Sequence, residues 1–130
     1  MSLEVINLTS TYLLLLRTQV EEQKNTLIKL QSMIGTMLEK EHYKNRDNWL
    51  AVFLLLLGSN IVRYDDFKGY TWHIPNISEG VNVSRQAVAN WKTLGQAPRS
   101  FETRKKVLEY FLEEIPKAIA ASDEILAEIE

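Results

Sequence analysis

The chain has 130 residues, a formal net charge of −2, 45% hydrophobic and 25% charged residues, and no cysteine. That length suits one compact domain with an extension, and the apolar fraction argues against global disorder. The lack of cysteine excludes disulfides, thiolate zinc sites and cysteine nucleophiles, and fits a reducing, cytoplasmic setting.

Residues 9–44 contain no proline and predict a long helix, with Thr9 or Ser10 placed to cap its start. Leu13, Leu16, Val20, Gln23, Leu27, Leu30, Ile34 and Met37 alternate spacings of three and four, the a/d seam of a coiled coil. Seven of the eight are apolar, and Gln23 is the single polar member, the kind of residue that sets register. These sustained heptads predict a homodimer seam. Leu14, Leu15, Ile28, Met33 and Leu38 widen the stripe, which is the pattern that packing inside one bundle would use.

The most apolar run is WLAVFLLLLG at 49–58. Its nine consecutive apolar residues are too few to span a bilayer, and Arg46, Asp47 and Arg63 flank it. It predicts instead a helix from about 46, apolar all round and buried, ended by Gly58. NIVRYDDFKGYTWHI at 60–74 reads as a loop pinned by aromatics rather than a hairpin. From about Ser100 a further helix carries Val107, Leu108, Phe111, Leu112 and Ile115. Pro116 starts or kinks the next stretch, in which Ile119, Ser122, Leu126 and Ile129 continue the stripe. The fold expected is all-α. It has a long N-terminal helix at 1–45, a helical unit at 46–116, and an acidic amphipathic helix at 117–130.

Between them lies VSRQAVANW at 83–91. Ser84 stands where an N-cap belongs, so its hydroxyl can take a free backbone N–H of the first turn. Ala87, Val88 and Trp91 fall three or four apart and can face inward. Arg85, Gln86 and Asn90 then form a front of hydrogen-bonding groups. Such a front suits the DNA major groove, where arginine pairs with guanine and glutamine or asparagine with adenine. A helix fits that groove, and the residues at its N-terminus reach deepest.

The string resembles the recognition helix of helix-turn-helix proteins of the phage repressor and Cro-like type. WKTLGQAP at 91–98 resembles the loop that follows that helix in the same family. The preceding helix would span about 74–81, with Ile77 and Val81 inward and Ser78 at the small position where the helices cross. Asn82 stands where the family usually has glycine, and asparagine tolerates the left-handed conformation required there. Pro75 and Asn76 predict a short or irregular first helix, and the long N-terminal helix lies outside the family's minimal domain. The resemblance implies a dimeric, sequence-specific, double-stranded-DNA-binding transcription regulator. Arg85, Gln86 and Asn90 would contact bases. Ser84, Lys92, Arg99, Arg104 and Lys105 would contact phosphates.

Charge distribution supports a polyanionic partner. From 74 to 106 there are six basic residues (Arg85, Lys92, Arg99, Arg104, Lys105, Lys106) against Glu79 and Glu102. From 107 onward a single base, Lys117, faces seven acids. The near-neutral total thus hides a basic module and an acidic tail.

Enzymatic readings find little. No phosphate-binding glycine loop or dinucleotide turn occurs, and His42 and His73 have no metal-site spacing. His73 beside Trp72 reads as a packing residue, and capping accounts for Ser84. The sequence therefore predicts no enzyme, no cofactor, no metal and no membrane span. The alternatives are a helical coiled-coil adaptor, whose partner is protein, and a DNA-binding accessory protein in phage or plasmid replication or packaging.

Overall fold

A computed structural model describes residues 3–58 and 74–129, with side chains from Ser10 onward. The elements are α1 (Leu3–Glu39), a 3₁₀ turn (His42–Lys44), α2 (Arg46–Leu57), α3 (Ile74–Val81), α4 (Arg85–Thr93) and α5 (Phe101–Ile129). The described residues are all-helical, as the patterning predicts. The loop expected at 60–74, including Trp72 and His73, lies outside the described residues apart from Ile74, which opens α3.

α1 begins at Leu3, so Thr9 and Ser10 sit inside it rather than capping it. The hydroxyls of Thr18, Thr26 and Thr36 donate back to the carbonyls of Leu14, Glu22 and Ser32, which keeps these β-branched residues compatible with the helix. The heptad seam is buried, but by the chain itself. Leu16, Val20, Leu27, Leu30, Ile34 and Met37 are all at most 5% exposed, while Leu13 and Gln23 are half-buried. Their partner is α5, which buries Val107, Leu108, Phe111, Ile115, Ala118, Ser122 and Ile125. The two helices run antiparallel: Lys24 on α1 pairs with Asp123 near the end of α5 at 2.6 Å, whereas Arg104 near its start reaches Tyr43 and Lys44, just past the end of α1. The seam is therefore occupied within one chain and is not free to act as the dimer seam expected from the heptads. A heptad specifies an apolar partner stripe and says nothing of which chain supplies it.

α5 corrects a second expectation. It runs unbroken through Pro116, which is exposed on its surface, so the boundary drawn at 116–117 falls inside one helix. Proline gives up one backbone donor there, and the buried residues on either side, Ile115 and Ala118, hold the helix in register. Segments expected to be separate thus contribute to a single core that includes residues of all five helices.

α2 is capped by Asn45, whose side chain accepts from the Asn48 N–H at 2.9 Å. It buries Trp49, Val52, Phe53 and Leu56, while Leu54 and Leu55 are 44% and 55% exposed, so it is not buried all round. Its inner face carries the centre of the core. Trp49 stacks on Phe53 at 4.9 Å, and Trp91 of α4 meets both edge-on at 5.6 and 5.7 Å. The Trp49 indole N–H donates to the Arg104 carbonyl at 3.0 Å, which satisfies the polar end of a fully buried ring.

Candidate nucleic-acid interface

α3, the three-residue turn at 82–84 and α4 form a bihelical unit with the boundaries the sequence predicts to within one residue. The turn is built by local chemistry. Asn82 adopts φ 56°, the left-handed conformation expected where the family has glycine. Ser78, buried at the helix crossing, donates its hydroxyl to the Val83 carbonyl at 2.5 Å, and its own carbonyl accepts from the Val83 N–H at 3.1 Å. Ser84 caps α4, its hydroxyl accepting from the Ala87 N–H at 3.1 Å. Despite Pro75, α3 is a regular α-helix over Ile74–Val81, which fits proline's tolerance in a first turn.

Packing fixes how this unit sits on the body. Ile77 and Val81 of α3, and Val88 and Trp91 of α4, are buried. Gly80 lies against the ring of Tyr110 on α5, so closely that a Cβ would fall within the ring's own contact shell. The missing side chain lets α3 approach α5, a role that the sequence around Gly80 does not reveal. Burial first, and the nearby Glu114 carboxylate second, push the Tyr110 phenol up to about 12.

The outward side of α4 presents the expected front. Arg85 and Gln86 are exposed on its first turn and Asn90 is half-buried one turn later. The Gln86 amide donates to the Asn90 side-chain oxygen at 2.8 Å. This pairing uses one Gln86 N–H and the Asn90 oxygen, so the acceptor of Gln86 and the donors of Asn90 are not consumed by it. Ser84, Lys92, Arg99 and Lys105 are exposed as well.

Arg104 is the exception among the phosphate contacts predicted by sequence. It is 4% exposed, and its guanidinium donates to four backbone carbonyls: Pro98 at 2.5 Å, Tyr43 at 2.7 Å, Lys44 at 3.0 Å and Arg99 at 3.2 Å. It cannot reach a phosphate. Burial first and the charge of Arg46 second lower its pKa. Its five-donor planar fork suits this cage of oxygens, which ties the corner after α1 to the loop after α4. Arg46 lies beside Arg99 across a cleft of that corner and is a candidate contact that sequence reasoning missed. No local motif marks it, because its neighbour in space lies more than fifty residues away in the chain.

Among the described residues no three His, Cys, Asp or Glu side chains gather as a metal site, and no helix is long and apolar enough to cross a membrane. No family model, curated protein or solved structure matches the chain.

Proposed function

We propose that the protein binds double-stranded DNA through the α3–turn–α4 unit, with α4 in the major groove, and acts as a sequence-specific transcription regulator. The observation that carries this reading is the way α4 is held. Val88 and Trp91 anchor its back in the core, while Ser84 and the left-handed Asn82 set its start, so Arg85 and Gln86 project from a rigid first turn. Rigid presentation of such groups is what base-edge recognition requires. The basic surface of Lys92, Arg99 and Lys105 would supply the sequence-independent part of the affinity.

Two-fold readers place two recognition helices on an inverted repeat. Because α5 covers the α1 seam, two copies of this chain on one duplex would meet through another surface. Sedimentation of the protein with its duplex counts the copies.

Fluorescence anisotropy with a preferred and a scrambled duplex at two salt concentrations tests the reading. Arg85→Ala is expected to cost about 1–3 kcal/mol on the preferred duplex and little on the scrambled one. Lys105→Ala is expected to weaken both and to lower the salt slope by about one. Equal losses on both duplexes from Arg85→Ala would remove its base-reading role.

A further inference from the structure

We infer that the corner between the start of α2 and the loop after α4 is a second contact surface for the DNA backbone. In it Arg46 and Arg99 bind phosphates and Arg104 acts as the residue that positions them. The inference rests on the reading of α4 as the groove-entering helix and deepens it.

Arg46, Asp47, Leu50, Gly95 and Arg99 border an open cleft of about 350 Å³. Both arginines are exposed on its rim. Beneath them lies Arg104, whose guanidinium is surrounded by carbonyl oxygens, and among the described residues no carboxylate pairs with it. A buried cation without a counter-charge adds to the potential above it. Nearby, Glu41 is engaged with Lys44 at 3.0 Å, leaving Asp47 as the acid on the cleft itself. On the cleft and directly behind it, three arginines thus stand against Asp47, with Glu102 the further acid in the first turn of α5. Arginines in that setting suit the oxygens of a phosphodiester.

Position selects the DNA backbone as the partner. Gly95, with φ 61°, turns the chain back directly after α4, so the cleft sits at the far end of the proposed recognition helix. Nine residues of helix rise by about 14 Å, the length of about four base pairs. A duplex lying along α4 would bring its phosphates past both ends. Arg104 makes the arrangement possible. It clamps the carbonyls of Tyr43 and Lys44, before Arg46, to those of Pro98 and Arg99.

The test is the salt dependence of binding by the full chain to a preferred and a scrambled duplex. Arg46→Ala and Arg99→Ala are each expected to reduce the slope of log K against log salt by about one and to weaken both duplexes by the same factor, roughly 3–10-fold at moderate salt. Arg46→Lys should restore most of the slope. Arg104→Lys keeps the charge but loses the fork, and well below its melting point it should lower the slope as Arg46→Ala does, with the preference between duplexes unchanged. An unchanged slope in Arg46→Ala, with Lys105→Ala still lowering it and wild-type protein binding DNA, would overturn this inference and leave the reading of α4 standing. An unchanged slope in Arg104→Lys would overturn the positioning role. Wild-type protein that binds neither duplex at low salt would overturn the reading of α4 and this inference with it.

Discussion

Replacing Arg104 with methionine is the substitution whose stability cost follows most directly from the structure. Methionine keeps an unbranched apolar stem of similar reach and removes the fork. Two of the four bonds it breaks, to Tyr43 and Pro98, are buried, and those two carbonyls are left without this donor. The bonds to Lys44 and Arg99 are partly exposed, so water can replace them. A hydrogen bond to a charged donor contributes about 1.5–3 kcal/mol net, which makes the two buried ones worth roughly 3–6 kcal/mol. Part of this is returned because a guanidinium need no longer be desolvated. The expected net loss is about 3 kcal/mol, a large fraction of a typical domain's stability, and lowers the melting midpoint by roughly 10 °C. Urea and thermal unfolding followed by circular dichroism would measure it. The Trp49 bond is a control, because it uses the Arg104 backbone carbonyl and survives the substitution. Arg104→Lys, with three donors and no planar fork, should lose about half as much. A loss below about 1 kcal/mol for Arg104→Met would refute the view that this cage holds the corner together.

Three other perturbations probe different parts of the fold. Gly80→Ala forces a methyl group into the Tyr110 ring and should cost about 1–3 kcal/mol, with much of that cost disappearing when Tyr110→Ala is already present; equal costs with and without Tyr110→Ala would show that the close approach is not responsible. Leu27, fully buried against α5, cannot accept a carboxylate, so Leu27→Asp should cost more than about 4 kcal/mol and unfold the chain. A folded variant of half the sedimenting mass would instead return the seam to an interface between chains. For Tyr110, the folded state holds the phenol protonated up to about 12, above its ordinary value of 10. Its contribution is fully present below pH 10 and is lost as pH rises towards 12, because the unfolded chain gives up the proton first. The loss should be about 1 kcal/mol after allowing for water around a half-buried ring, and Tyr110→Phe should abolish it in urea melts across that range.

The α3–α4 unit was the most legible part of the sequence, because local chemistry builds it. A serine cap, an asparagine able to turn left-handed, and apolar residues at helical spacing all lie within a few residues of where they act. Trp91 could be read as inward-facing from the same spacing, though its aromatic partners Trp49 and Phe53 could not. The seam of α1 was legible as a buried stripe but not as the partner of α5, since periodicity describes one surface only. The same limit explains α2, where a run of leucines reads as buried all round while Leu54 and Leu55 stay exposed among the described residues. Arg104 reads as one more surface cation in a basic run. Its acceptors at Tyr43 and Lys44 lie just past the end of α1, about sixty residues away, and no local pattern encodes them. Gly80 carries no local signal of its role, because its fit to the Tyr110 ring is a tertiary contact.

The most direct measurement is selection from a library of random duplexes at low and moderate salt, sequencing the bound fraction for wild-type protein and Arg85→Ala. Wild-type protein is expected to enrich a motif of a few consecutive base pairs, lost or relaxed with Arg85→Ala, while weak salt-sensitive binding persists in both. Absence of binding at low salt, or bound sequences no different from the input, would contradict it.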